Sequence, residues 1–247
     1  MKILIIHTGN PCECFIASSL FRGLKTKEPD QKYPEVYVFT ADKECSAIFE
    51  HSHRVKKVYI LDKLPMEVFK DRFDKMIVLH PGVDKNFVDT IYAHQKCGFH
   101  CSEDSDYFFD ILYGQKKTRM NMFQIYFKIA GIKWRGQGYD FNYFPKSKCK
   151  TNKTGLAIAN ANLRNFIIDK LSLDESKLWI IPYKKNIFRK IDEINKCKRI
   201  VTDDFFTMNV ASYLKKSIYF LKTLPYTTRI EIFNNGYIYN VPSNIIK

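Results

Sequence analysis

The chain has 247 residues, 45% hydrophobic and 15% aromatic, with 40 Lys and Arg against 26 Asp and Glu and a net charge of +14. This composition excludes a disordered chain and supplies enough apolar material for one large core or two small ones. No run reaches the roughly 18 apolar residues of a membrane span, and the apolar start Met1–His7 is too short for a signal peptide and lacks a small-residue cleavage site. Segments of strand type then alternate with segments of helix type, the pattern of a parallel α/β sheet. Strands are predicted at Lys2–His7, Glu35–Thr40, Val55–Leu61, Lys75–Leu79 and Gly98–Cys101. Helices are predicted at Glu13–Lys25, at Asp42–His51, and after an Asp84 cap with Phe87, Val88, Ile91 and Tyr92 on it. Met120–Ala130 places Phe123, Tyr126, Phe127 and Ala130 on one helical face, and Gly131 follows as a left-handed cap.

Between Lys133 and Lys153 the periodicity stops, and Gly136, Gly138 and Pro145 mark an inter-domain linker. Two Rossmann-like domains are expected, residues 1–140 and 150–247. In the second, strands are predicted at Gly155–Ala159, Lys177–Pro182, Arg199–Thr202 and Ser217–Leu221. Helices fall at Leu163–Leu171, Asn186–Lys196 and Thr207–Lys215. Arg229–Phe233 and Tyr237–Val241 read as a hairpin around Asn234-Asn235-Gly236. Two such domains are expected to leave a cleft where the carboxyl ends of their strands face each other, the edge at which open α/β sheets bind ligands.

Seven scattered cysteines, odd in number and without an export signal, point to a reduced, cytoplasmic protein. The charge excess favours anionic partners: phosphorylated lipid, lipopolysaccharide, a membrane surface, nucleic acid or nucleotide. A basic solvated surface with no single partner is the plain alternative. The Lys116-Lys117-Thr118-Arg119 cluster and Lys146, Lys148, Lys150 and Lys153 read either as a patch for acceptor phosphate or headgroups, or as solvated linker surface. Cys12-Glu13-Cys14, and Cys97 and Cys101 with His94 and His100, lack the paired spacing of a structural zinc site, so no metal is expected.

Three segments together resemble the heptosyltransferase-type glycosyltransferases, a family with the two-domain GT-B fold. The first is Met1–Glu13, a strand running into a glycine-containing loop whose acidic end opens a helix finishing Leu20-Phe21-Arg22-Gly23-Leu24-Lys25. The second is Met122–Ile132, with its terminal Ala130-Gly131-Ile132. The third is Arg199–Lys216, where Asp204 takes the position of the family's strand-Asp-Thr-Gly-helix aspartate and Asn209 stands where histidine is usual. The likeness extends on to Ser217–Pro225. The resemblance implies inverting, metal-independent transfer of a sugar from a nucleotide diphosphate donor to a hydroxyl of an anionic glycan or lipid-linked acceptor. No cofactor is implied, the nucleotide sugar (ADP-linked in the family's pattern) being a substrate. It also implies a cytoplasmic enzyme with room for peripheral contact at the inner face of a membrane.

The same resemblance makes Glu13 the catalytic base, and Asp204, Phe205, Phe206, Thr207 and Asn209 the donor-binding loop and helix start. Thr8, Gly9 and Asn10, with His7 and His80 at the ends of their strands, form the acceptor side. Read without it, Glu13 and Asp204 are equally ordinary helix-start residues, and His7 and His80 equally structural histidines. The chain departs from the family at Cys12 for glycine, Glu13 for aspartate and Phe205-Phe206 for Thr-Gly. Glu13 carries its carboxylate about 1.5 Å farther than aspartate, and misplacement by about 1 Å costs on the order of 100-fold in rate. The Lys-x-Trp signature survives only as Lys177-Leu178-Trp179, directly before a strand, so the second domain is expected to be shortened by a β-α unit. Two other classes stay open: a nucleic-acid-binding or DNA-modifying protein, drawn from the charge and aromatic content, and a non-catalytic nucleotide-binding relative.

Overall fold

The computed structural model describes residues 1–25, 33–61, 67–114, 116–182, 186–223, 228–233, 235–242 and 245. The chain divides into two compact units, Met1–Asn142 with Tyr226–Ile230, and Tyr143–Pro225 with Glu231–Lys247. Among the described residues no helix is long and apolar enough to cross a membrane.

The first unit is a five-stranded sheet in the order β3-β2-β1-β4-β5, with every pair parallel. Its strands are β1 (Lys2–His7), β2 (Glu35–Thr40), β3 (Val55–Ile60), β4 (Phe73–Val78) and β5 (Ala93–Gly98). Parallel neighbours need crossover helices, and these cover both faces, which is why β1 is buried at Ile3 through His7 without alternation. The helices are α1 (Pro11–Ala17), α2 (Lys43–Glu50), α3 (Glu67–Lys70), α4 (Lys85–Thr90), α5 (Ser105–Leu112) and α6 (Met122–Ile129). Phe123, Tyr126, Phe127 and Ala130 of the α6 segment are all buried, and Gly131 takes the left-handed conformation at φ +68°.

Two expectations for this unit need correction. The first helix starts at Pro11 and stops at Ala17, because Asn10 caps it with Pro11 in its first turn and the chain tightens into a 3₁₀ turn over Ser18–Arg22. The fifth strand is Ala93–Gly98, not Gly98–Cys101. As a sheet edge it is largely polar, so no hydrophobic period announces it, whereas Gly98 and His100 sit at φ +93° and +63° in a turn. The boundary between the two units, at Asn142 and Tyr143, falls inside the Lys133–Lys153 stretch, whose residues are tied to each unit in turn. The buried Asp140 accepts from Ser52 Oγ at 2.5 Å, and Asn142 N–H donates to the His51 carbonyl at 2.8 Å. Past Asn142, Asp192 takes over, accepting from Tyr143 Oη at 3.1 Å and Lys146 N–H at 2.8 Å.

The second unit has a parallel sheet in the order β10-β9-β8-β6-β7, built from β6 (Lys150–Ala157), β7 (Leu178–Ile180), β8 (Cys197–Thr202), β9 (Ser217–Lys222) and β10 (Gly236–Asn240). Its helices are α7 (Ala161–Lys170), α8 (Ile187–Asn195), which buries Ile187, Ile191 and Ile194, and α9 (Phe205–Tyr213). Among the described residues no hairpin forms here: β10 runs parallel to β9, and Arg229 pairs with Asn121 of the first unit. Gly236 lacks the positive φ that a type I′ turn requires, and Asn234 lies outside the described residues.

Gly98 offers a clean test of this backbone. A Cβ there would lie 2.1 Å from the Val78 carbonyl oxygen, whereas at Gly136, also at positive φ, nothing lies within 4 Å. Gly136→Ala should cost about 1 kcal/mol in urea unfolding, from conformation alone, and Gly98→Ala at least about 2 kcal/mol more. Equal losses would mean that the Val78 contact has been misread.

Candidate functional site

In the first sheet the connections leave β1 and β4 toward opposite sides, so the loops after these neighbouring strands part and leave a crevice at their carboxyl ends. His7 ends β1 and His80 follows β4, with ring centroids 5.8 Å apart. Backbone N–H groups can only donate, and this fixes both tautomers. Gly9 N–H donates to His7 Nδ1 at 3.2 Å and Gly82 N–H to His80 Nδ1 at 3.0 Å, leaving each ring proton on Nε2. The Thr8 hydroxyl lies 2.9 Å from the same His80 Nδ1, and His7 Nε2 lies 3.3 Å from Tyr126 Oη. His7 is fully buried, and that burial, with the nearby His80, pulls its pKa down to about 3; burial also lowers His80.

Glu13 sits one turn into α1. Its Oε2 accepts from Asn10 N–H at 3.0 Å while Asn10 Oδ1 accepts from Glu13 N–H at 3.1 Å, a reciprocal capping box. The same Oε2 faces His80 Nε2 at 3.9 Å, too long for a direct hydrogen bond. Burial raises the Glu13 carboxyl above its ordinary value, against the lowering effect of the Asn10 N–H. The structural role read for Glu13 is therefore present, and its oxygen also faces the crevice. Gly9 makes this approach feasible: a Cβ would lie 2.1 Å from Glu13 Oε2 and 2.7 Å from His7 Cε1. Thr8, Gly9, Asn10, His7, Glu13 and His80 thus converge on one place.

The second sheet diverges between β6 and β8, and there a cavity of about 460 Å3 opens at their carboxyl ends, lined by Ala157, Arg164, Ile181, Lys190, Asp203, Asp204 and Thr207 among others. Asp204 is the N-cap of α9: its side chain accepts from Phe206 N–H at 3.3 Å and Thr207 N–H at 3.1 Å. Lys190 Nζ reaches its Oδ2 at 2.6 Å. Burial pushes the Asp204 carboxyl up, but the Lys190 charge and the hydrogen bonds from Lys190 and Thr207 outweigh this and hold it low. The amides expected to meet phosphate therefore already meet Asp204. Phe206 packs under Lys190, whose Nζ lies 5.0 Å from the ring centroid, and Phe205 stands edge-on to Phe220. Asn209 is buried and donates to the Phe205 carbonyl at 2.7 Å, so it belongs to the helix interior rather than to the cavity lining.

Several participants escaped the sequence reading. Tyr113 stands edge-on to His80 at 5.4 Å, and Tyr126 was visible only as a core position of α6. Burial, then the Glu13 charge, raises both phenols. Cys14 and Cys45 both donate to the Gly9 carbonyl, at 3.6 and 3.3 Å. Arg164 and Lys190 come from α7 and α8, and no local spacing marks them. Among the described residues no cluster of three or more metal-binding side chains occurs.

The buried His7 makes stability depend on pH. Its folded pKa of about 3 lies below the unfolded 6.5, so the native state takes up fewer protons and stability falls as pH drops from 6.5 toward 3. Between pH 7 and pH 5, urea unfolding should show a loss about 2 kcal/mol larger in the wild type than in His7→Gln. A second outcome concerns the crevice: Gly9→Ala should displace Glu13 and cost about 2 kcal/mol or more, measured the same way.

No family model and no curated protein matches the chain by sequence. Solved structures do match. Escherichia coli ADP-heptose lipopolysaccharide heptosyltransferase II is 14% identical, with a TM-score of 0.66 over 98% of this chain and 91% of that one. The glycosyl transferase family 9 structure from Veillonella parvula is 12% identical, with a TM-score of 0.67 over 96% of this chain and 85% of its own. E. coli heptosyltransferase WaaC with ADP-2-deoxy-2-fluoro heptose is 10% identical, with a TM-score of 0.60 over 99% and 94%. At such identities the likeness is one of fold, and it agrees with the resemblance carried by the motifs: the chain has the two-sheet α/β, GT-B-like fold of heptosyltransferase-type glycosyltransferases.

Proposed function

We propose that the protein is a glycosyltransferase that moves a sugar from a nucleotide diphosphate donor to a hydroxyl of an anionic glycan or lipid-linked acceptor, with inversion and without a metal. The observation that carries this reading is the half-buried Glu13 carboxylate at the β1/β4 crevice. Burial makes it a stronger base than a free glutamate, and neutral His80 stands 3.9 Å away with its Nε2 proton toward the same oxygen. An acceptor hydroxyl entering there passes its proton to Glu13 as its oxygen attacks the anomeric carbon, while the bond from that carbon to the diphosphate oxygen breaks and the nucleotide diphosphate leaves with the electron pair. His80, oriented by Thr8 and Gly82, donates to the attacking oxygen or to the carboxylate and so holds both in line.

On the donor side the reading assigns the β6/β8 cavity to the nucleotide diphosphate. Lys190 and Arg164 supply positive charge at its wall, and the apolar Ala157, Ile158 and Ile181 give the nucleotide an uncharged surface. Asp204 positions Lys190 and closes the start of α9 rather than touching phosphate itself. WaaC, the structure with bound ADP-2-deoxy-2-fluoro heptose, supports a nucleotide sugar as the donor class. Site, basic charge and fold together support a cytoplasmic enzyme working on an anionic acceptor. A binding-only relative remains the second reading, favoured by one observation: Phe206 and Thr207 amides are committed to Asp204 instead of being open to a ligand.

Thermal shifts with ADP-, GDP-, UDP-, CDP- and dTDP-sugars test the donor assignment. One of them at about 100 times its Kd should raise Tm by roughly 5–10 °C, and Lys190→Ala should abolish the shift. With that donor, Glu13→Gln should lower kcat by about 100-fold or more while leaving the thermal shift intact. The acid limb of kcat/KM should titrate above 4.5, the ordinary glutamate value, because only the ionised carboxylate is a base and burial raises its pKa. Full turnover in Glu13→Gln would falsify the base assignment, and a thermal shift without turnover in the wild type would establish the binding-only reading.

A further inference from the structure

A second cavity of the second unit is used by neither substrate assignment. It holds about 490 Å3 and is lined by Leu171, Arg199, Ser217, Tyr219, Asn235 and Tyr237 among others. Ser217 and Gly236 open β9 and β10, so it lies at the amino-terminal ends of these strands, whereas the β6/β8 cavity lies at carboxyl-terminal ends. The register sets Tyr237 directly beside Tyr219, and their rings stack with centroids 5.0 Å apart and 27° between planes. Tyr239, two residues on, also stacks on Tyr219 at 6.0 Å, with Lys170 Nζ 5.0 Å from its ring. Tyr237 is nevertheless 58% exposed, on an edge strand whose residues are mostly exposed. Arg199 pairs in register with Ser217, and it is the one cation among the described lining residues.

A solvent-facing aromatic plane held rigid by stacking on its neighbour, one guanidinium, and a hydroxyl and an amide around a shallow cavity form a recognisable chemistry. The plane takes the apolar face of a pyranose, the guanidinium pairs with a phosphate or carboxylate, and the hydroxyl and amide meet ring hydroxyls. We infer that this cavity is a binding site for a sugar unit of an anionic glycan, with Tyr237 as the stacking surface and Arg199 as the anion partner. Single-stranded nucleic acid fits less well, because it calls for a basic groove along the strand, and among the described lining residues Arg199 is the single cation. The inference needs only the second unit and holds whether or not Glu13 acts as a base.

The test is binding, not turnover. The full-length protein is applied to an array of phosphorylated, uronic-acid and neutral oligosaccharides, and the tightest probe is titrated by calorimetry beside its matching sugar monophosphate or uronic acid and oligo(dT). An anionic oligosaccharide should bind, its neutral counterpart about tenfold more weakly, and Tyr237→Ala and Arg199→Ala should each lose about tenfold in affinity. Both side chains lie on exposed positions, so circular dichroism and Tm should match the wild type; Glu13→Gln should bind normally. Equal affinity for the monomeric acid would support the same site with a single sugar as its ligand. Absence of binding to any sugar, affinity that survives both substitutions, or tighter binding of oligo(dT) would overturn the inference.

Discussion

A carboxylate and two imidazoles can meet at the end of β1 only because residue 9 carries no side chain. Its backbone serves all of its neighbours: the Gly9 N–H orients His7, while its carbonyl accepts from Cys14 and Cys45. The space a Cβ would fill belongs to Glu13 and His7. Excluding water from this knot is what shifts the groups in it. The imidazoles are driven toward neutrality and the carboxylate toward a higher pKa, so the crevice holds basic groups carrying less charge than they would in water.

The second unit handles charge differently. At the start of α9 the aspartate is kept ionised against its own burial by Lys190, and that pair leaves a wall in which acid and base are already partly matched. The pair is only partly buried, with the Asp204 side chain 41% exposed, so solvent screens part of the charge left behind when either member is lost. The fold therefore places a charge-poor acid–base cluster on one sheet and a charge-paired wall on the other, each at the point where strand order reverses.

Much of this was legible from residues alone. The buried strands β1, β2, β8 and β9 declare themselves by apolar content, and Asn10, Asp42, Asp84, Asn186 and Asp204 all lie at helix starts because their side chains satisfy N–H groups that the helix cannot. The strand β5 was missed because an edge facing water needs no apolar period, and the final hairpin was wrongly expected because Asn-Asn-Gly composition does not guarantee left-handed backbone. At the candidate site, His7 and His80 follow from lying at strand ends and Glu13 from its place in the first turn of a helix. Tyr113, Lys190 and Arg164 do not, since their relevance arises from packing of helices that carry no motif. Asn209, matched to a family's polar residue, donates here to a carbonyl of its own helix.

The path of the chain between units has a consequence for synthesis. The chain leaves the first unit after Asn142, builds most of the second, returns so that Arg229 bridges Asn121, and then leaves again to add β10 to the other sheet. A ribosome releases residues in order, so the first unit waits for that bridge until Arg229 has emerged. Neither unit corresponds to one uninterrupted stretch of sequence, and a single cut anywhere in the chain yields no fragment pair that matches them. The first sheet is complete by Gly98, whereas the second gains its edge strand β10 only after the chain has returned to the first unit.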